Sequence, residues 1–276
     1  MIEQKRERLR QVLSAIGPML VAYSGGADSA YLAWEARQTL GRDRVLALIA
    51  DSPSLPRRHL RLALAFAQTH DIACETLATY ELDDERYRRN HPDRCFFCKD
   101  ELFRRMEEER GARPAFSTLA YGLNADDPAD FRPGHAAARL HGVRAPLAEA
   151  GLGKREIRDL ARLARLEIWD RPASACLSSR VAYGLEVTPA VLRRIEQGED
   201  ALAALGFRQF RVRFHGAIVR IEIAREEMQR ALNPEMARRF TEIFKRLGFD
   251  YVTLDLEGYR MGALNAGLVA LPTASS

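Results

Sequence analysis

Apolar and polar positions along the chain change period repeatedly, and each change marks an element. Leu9, Val12, Leu13 and Ile16 share one side of a helix over residues 3–16. Pro18 stops it, and a short apolar strand follows through Val21 and Ala22. Residues 29–40 predict a second helix closed by Gly41, and residues 44–50 an apolar strand that ends at Asp51. A helix over 57–70 carries Leu60, Leu64 and Phe66, and 72–78 is another strand. Strands alternating with helices argue for an α/β protein with a doubly wound, mostly parallel sheet, whose ligands bind outside the carboxyl ends of the strands.

A polar stretch, 81–94, is expected to lie over the edge of that sheet; it leads through Cys95-Phe96-Phe97-Cys98 into a charged helix over 99–110. Residues 114–121 read as a strand ending in the turn Gly122-Leu123-Asn124-Ala125-Asp126-Asp127, residues 153–166 as a helix and 169–180 as a loop. Beyond Thr188-Pro189 the texture changes. A helix over 190–205, strands over 207–214 and 217–223 joined at His215-Gly216, a helix over 234–247 and a strand over 251–254 form a small α+β unit. The boundary is expected near Gly184, giving one domain over 1–184 and a second, substrate-binding or oligomerising, over 185–276. The tail after Leu271 is expected to be disordered.

Composition narrows the class. At 276 residues and 47% hydrophobic content the chain can bury a full core. It shows no run of 18 apolar residues, and its start, Met1-Ile2-Glu3-Gln4-Lys5-Arg6-Glu7-Arg8, is too charged to open a signal peptide. A cytoplasmic protein without a membrane partner is expected. The net charge of +4 is small, and the arginines are interleaved with acids as on solvated helix faces, so a nucleic-acid partner is not expected. Four cysteines in such a chain point to metal or reactive thiols rather than a disulfide scaffold.

The segment Val21-Ala22-Tyr23-Ser24-Gly25-Gly26-Ala27-Asp28-Ser29 carries the sharpest signal. Two glycines allow the backbone to turn back and bring N–H groups to an anion, Ser24 and Ser29 add hydroxyls, and a helix opens on the same point. The spacing is not that of a Walker loop, and no Lys follows the second Gly. The turn at Asn124, Asp126 and Asp127 reads locally as an Asx-turn, yet it leaves a sheet strand and should open on the same edge.

Cys95 and Cys98 form a Cys-x-x-Cys pair suited to zinc, a redox dithiol or part of an iron–sulfur cluster. A structural zinc lacks nearby ligands beyond His91. A thioredoxin-like dithiol would directly follow a strand. A three-cysteine cluster would need Cys176, which sits among small residues in Pro172-Ala173-Ser174-Ala175-Cys176-Leu177-Ser178-Ser179-Arg180, with Arg180 able to favour a thiolate. Cys74, in an apolar strand, reads as core packing.

The 24–29 turn resembles the PP-loop of the ATP pyrophosphatases, which cleave ATP between the α- and β-phosphates. With it, four further blocks carry a resemblance to the LarE family over nearly the full length: Tyr121-Gly122-Leu123-Asn124-Ala125-Asp126-Asp127-Pro128-Ala129-Asp130-Phe131-Arg132-Pro133-Gly134, residues 169–180, Arg211-Val212-Arg213-Phe214-His215, and Thr253-Leu254-Asp255-Leu256-Glu257-Gly258-Tyr259-Arg260. The resemblance implies an ATP-dependent sulfur transferase of nickel-pincer nucleotide biosynthesis, which adenylates the carboxylates of pyridinium-3,5-biscarboxylic acid mononucleotide and turns them into thiocarboxylates.

It implies ATP bound by Ser24, Gly25, Gly26, Asp28, Ser29, Asn124, Asp126 and Asp127, with Asp28 holding Mg²⁺. Substrate phosphate falls to Arg211 and Arg213, which alternate on one strand and so share a face; without the resemblance they would read as a solvated strand face. Arg180 is assigned to phosphate or to charge near Cys176, and Glu199 and Asp255 to the substrate pocket. Family members divide by sulfur source. In one type a cysteine matching Cys176 gives up its own sulfur and becomes dehydroalanine; in the other, three thiolates matching Cys95, Cys98 and Cys176 hold a [4Fe–4S] cluster whose open iron delivers sulfide. The three cysteines favour the cluster type. A homo-oligomer using a sulfide donor is expected. A tRNA-thiolating PP-loop enzyme, an amide-forming ligase such as NAD synthetase, and a non-catalytic nucleotide sensor are the alternatives, and the small net charge and lack of an added RNA-binding module weigh against the first.

Overall fold

The computed structural model describes residues 2–127, 133–171 and 175–260. Motif residues 128–132 and 172–174 and the tail after Leu271 lie outside them. No helix among the described residues is long and apolar enough to cross a membrane.

The described residues gather into two units, Met1–Tyr87 with Pro92–Ala175, and Arg88–His91 with Cys176–Ser276. The α/β expectation holds in the first. Its strands β1 (Met19–Ala22), β2 (Val45–Asp51), β3 (Ala73–Ala78) and β4 (Thr118–Tyr121) form a parallel sheet in the order β3-β2-β1-β4. Val21 pairs with Ala47 on one side and Ala120 on the other. The chain steps outward from β1 to β3 and then returns to the opposite flank of β1, so the strand order reverses between β1 and β4. Crevices for ligands open at such a point.

Alternation puts Leu20, Leu46 and Leu119 into one apolar layer with Phe103 and Met106, and Val21, Ala47 and Ala120 into the other with Leu13, Ala33 and Phe66. Both faces of the sheet are thus covered, which explains why β1 is buried along its whole length. The helix predicted over 99–110 begins earlier, at Arg94, and runs to Ala112. Phe96 already packs against the same layer as Leu102 and Phe103, so the apolar stripe starts inside the Cys-x-x-Cys pair. Short helices Pro133–Leu140 and Pro146–Glu149 follow β4, in a stretch where the apolar pattern predicts no element.

In the second unit β5 (Phe210–His215), β6 (Ile218–Ile223) and β7 (Tyr251–Leu254) form a sheet in that order, β5 antiparallel and β7 parallel to β6. Helix Pro189–Ala204 is capped by Thr188, whose side chain accepts from Val191 N–H. Gly198 lets this helix close on the sheet, since a Cβ there would stand 2.6 Å from Phe244 and 3.3 Å from Val212. The chain enters this unit at Ala175–Cys176 rather than near Gly184. The reason is local pairing: Val181 bridges to Phe214, and the buried Asn90 side chain donates to the carbonyls of Val181 and Ala182.

Candidate functional site

The loop after β1 is a latch of hydroxyls around a helix start. Ser24 Oγ and Ser29 Oγ lie 3.0 Å apart, Ser24 N–H donates to Ser29 Oγ at 3.1 Å, and Ser29 Oγ donates to the Gly26 carbonyl at 3.2 Å. Gly25 has φ +73°, and a Cβ on it would stand 2.6 Å from that of Ala63. Gly26 is the N-cap of helix Ala27–Leu40 and brings no side chain to its first N–H groups. Those donors and the helix dipole face outward from the strand's carboxyl end, an arrangement suited to phosphate. Gly122 was not foreseen. It runs so close to the first turn of this helix that a Cβ would lie 2.7 Å from Ser29 N.

The turn after β4 is more than the local Asx-turn it also is. Fully buried Asn124 accepts through Oδ1 from the N–H groups of Asp126 and Asp127, and donates through Nδ2 to Asp28 Oδ2 at 3.0 Å and Asp127 Oδ2 at 2.7 Å. One amide thus joins the two loops that flank the reversal of strand order. Burial pushes the Asp28 carboxyl above the ordinary range, and Asp127 adds to the rise; the Asn124 hydrogen bond, Lys154 and Arg158 oppose it. A divalent cation relieves that strain on the charged form, so an oxygen-ligand site for Mg²⁺ fits this donor set.

Asp126 has a further part: its Oδ2 accepts Lys154 N–H at 2.7 Å, at the start of helix Lys154–Leu163. Lys154 Nζ stands 3.1 Å from Asp127 Oδ1. Arg158 donates to the carbonyls of Trp169 and Arg171, and Arg171 to that of Gly25 at 3.2 Å. Sequence reasoning missed these three cations. Only the spacing of Lys154 behind the turn could have pointed to one of them.

Cys95 and Cys98 stand in the first and second turns of helix Arg94–Ala112, three apart and so on one side of it. Cys95 is exposed and Cys98 half-buried. Cys176, also half-buried, opens the second unit. Among the described residues no three His, Cys, Asp or Glu side chains are grouped to hold a metal ion. Three thiols as a donor set suit iron–sulfur chemistry rather than a hard cation. Cys74 packs against the core from β3, and burial pushes its thiol up to about 11.

In the second unit one face of the sheet is polar. Arg213 is buried, and its guanidinium meets Glu222 through two hydrogen bonds of 2.9 and 2.8 Å while donating also to the Ser179 carbonyl. Glu222 is fully buried and takes Arg220 as well. This is no solvated strand face. Arg180, 1% exposed, is clamped by Glu199 at 2.9 and 3.2 Å and donates to the carbonyl oxygen of Cys176 at 2.9 Å.

Arg211, half-buried, lies 4.9 Å from the centre of the Tyr259 ring and donates to the Phe210 carbonyl. Burial holds its pKa below the ordinary arginine value, and Arg180 and Arg213 add to that depression. Asp255 stands 3.6 Å from Arg220 Nε and caps its own turn by accepting Glu257 N–H. The unit therefore brings Arg180, Glu199, Arg211 and Arg213 into one network, with Glu222 and Tyr259 as members that sequence reasoning did not name.

No protein-family model matches the chain. It is 42% identical over 270 residues to an uncharacterised protein of Synechocystis, spanning 96% of this chain and 98% of that one. It is 32% identical over 273 residues to the pyridinium-3,5-bisthiocarboxylic acid mononucleotide synthase of Lactiplantibacillus plantarum, spanning 98% and 97%. An uncharacterised protein of Methanocaldococcus jannaschii is 26% identical over 242 residues, spanning 88% and 90%.

Proposed function

Because the chain belongs to the LarE family, that of the pyridinium-3,5-bisthiocarboxylic acid mononucleotide synthases, we propose that it is an ATP-dependent sulfur transferase acting on pyridinium-3,5-biscarboxylic acid mononucleotide. The observation that carries this reading is the junction at Asn124, which ties Asp28 of the serine–glycine loop to Asp127 at the carboxyl edge of the sheet. A substrate carboxylate oxygen attacks the α-phosphorus of ATP and pyrophosphate leaves. A sulfur nucleophile then attacks the acyl carbon, AMP departs, and the cycle repeats at the second carboxylate.

Ser24, Gly25, Gly26 and Ser29 offer donors to the phosphates, and Asp28 would hold Mg²⁺, which would supply positive charge for the pyrophosphate group. Asn124 fixes both Asp28 and Asp127, while Asp126 fixes the neighbouring helix. Arg180, Arg211 and Arg213 bind the anionic substrate, with Glu199 orienting Arg180 and Asp255 lining the same face. The protein acts in the cytoplasm as a homo-oligomer, with neither nucleic acid nor membrane as partner.

For the sulfur source, the thiols Cys95, Cys98 and Cys176 would hold a [4Fe–4S] cluster, which supplies renewable sulfur from a sulfide donor. Anaerobic reconstitution should give about four irons per chain. Any single Cys→Ala change should lower the iron content, and turnover should exceed one sulfur per chain. Dehydroalanine at position 176 after reaction, with activity independent of Cys95 and Cys98, would instead make Cys176 a sacrificial donor.

A further inference from the structure

The peptide that joins Gly25 to Gly26 is planar and trans, so its C=O and its N–H point in opposite directions. Arg171 Nη1 donates to the Gly25 carbonyl at 3.2 Å. The Gly26 N–H therefore points away from Arg171, and its partner there is Ser24 Oγ at 3.4 Å, in an exposed position. A bond at that length is weak and is readily exchanged for a charge-assisted one to a phosphate oxygen.

Packing fixes where this loop runs but not which way that peptide faces. A Cβ on Gly25 would stand 2.6 Å from that of Ala63, and one on Gly122 would stand 2.7 Å from Ser29 N, so both flanks of the helix start are closed. Rotating the peptide about the line between its two Cα atoms leaves those contacts in place, and neither glycine has a Cβ to oppose the rotation. In the reversed orientation a carbonyl oxygen, not an N–H, would face the phosphates.

The donor that sets the orientation is itself held. Arg158, on helix Lys154–Leu163, donates to the carbonyls of Trp169 at 3.2 Å and Arg171 at 2.9 Å. Arg171 N–H donates to the Ile168 carbonyl at 3.2 Å, and the Arg162 guanidinium lies 5.5 Å from the centre of the Trp169 ring. A guanidinium on a turn fixed in this way is preorganised for one carbonyl.

We propose that Arg171 is a positioning residue: it holds the Gly25 carbonyl so that the Gly26 N–H is aimed at the nucleotide's phosphates. The proposal rests on the reading of the loop as a phosphate site, and it gives Arg171 no contact with the nucleotide.

Gly25-Gly26 is the one Gly-Gly pair in the sequence. Cell-free labelling with glycine that carries ¹³C at its carboxyl carbon and ¹⁵N therefore leaves a single peptide in a carbonyl–amide NMR correlation of the full chain. In the wild type, pyrophosphate with Mg²⁺ should move the Gly26 amide proton downfield as it takes a phosphate oxygen. In ligand-free Arg171→Met the Gly25 carbonyl carbon should move upfield, having lost its donor, and pyrophosphate should bind about 10-fold more weakly. Arg171→Lys, which keeps a charged donor, should restore the carbonyl position and most of the affinity. Weaker binding in Arg171→Met with the ligand-free carbonyl resonance unmoved would make Arg171 a direct phosphate contact and overturn the proposal. So would a Gly26 proton that stays in place while pyrophosphate binds the wild type, a measurement that needs no variant. Wild-type protein that binds neither pyrophosphate nor ATP would overturn the phosphate-site reading, and this proposal with it.

Discussion

The carboxyl edge of the parallel sheet and the polar face of the second sheet are built on opposite electrostatic terms. At the first, burial and Asp127 lift the Asp28 pKa, so the site holds negative charge at a cost. At the second, burial and two neighbouring guanidiniums depress the Arg211 pKa, so the site holds positive charge at a cost. A ligand of the opposite sign would remove each cost: a cation with its phosphates in one place, an anion in the other. The proposed function assigns the two units to different halves of one reaction, nucleotide activation and recognition of an anionic substrate.

The comparison breaks most visibly at Glu222. This fully buried carboxylate neutralises Arg213 and Arg220, and Glu222→Ala strands the buried Arg213, while Arg220 keeps Asp255 at 3.6 Å. Loss of one partner from a buried pair typically costs about 3–5 kcal/mol, so chemical denaturation should show destabilisation of that order. A change under about 1 kcal/mol would mean that water already reaches the pair.

Asp28→Asn addresses the other region. It removes a buried charge, so the melting temperature should hold or rise, while pyrophosphate release should fall about 10²–10³-fold, the usual scale for losing one preorganised electrostatic group. Normal release in a folded variant would dissociate Asp28 from the metal.

A smaller effect is expected from Arg211→Ala. The mononucleotide should bind about ten- to a hundredfold more weakly, with ATP affinity unchanged. A loss shared equally by both ligands would erase the division of labour between the regions.

The smallest effect sharpens the comparison with a site whose charge is already matched. His141 lies between Asp100 at 2.8 Å and Glu107 at 2.9 Å, both on the cysteine-bearing helix. Burial disfavours the imidazolium, but hydrogen bonds to the two carboxylates outweigh it and raise the pKa above the ordinary histidine value. A raised folded pKa stabilises fully below about pH 6.5, and that contribution is lost as pH rises through the folded value. Stability measured across this window should fall as pH rises, and His141→Asn should flatten the profile. An unchanged profile would remove His141 as its source.

Much of the first region was legible in the sequence because its determinants are local. The period of apolar residues gave the strands, and Ser24, Gly25, Gly26 and Asn124 declare their turns through side-chain chemistry acting over a few residues. The second region was legible only in part. Arg211 and Arg213 share a face by alternation, but Glu222 as the partner of Arg213 depends on strand register, and Glu199 as the partner of Arg180 depends on a helix closing on the sheet through Gly198. Lys154 escaped for a similar reason: its relation to Asp127 is made by packing of a helix start against a turn. The entry to the second unit at Cys176 likewise reflects hydrogen bonds from Asn90, far away in sequence.

The proposed function requires that this chain activate a substrate carboxylate by adenylation. The direct measurement is product analysis with radiolabelled ATP, Mg²⁺ and a sulfide donor under anaerobic conditions, with and without pyridinium-3,5-biscarboxylic acid mononucleotide. Adenylation of the substrate should yield AMP and pyrophosphate only when the mononucleotide is present, together with its thiocarboxylate. ADP and phosphate as products, or AMP and pyrophosphate formed at the same rate without the mononucleotide, would contradict it.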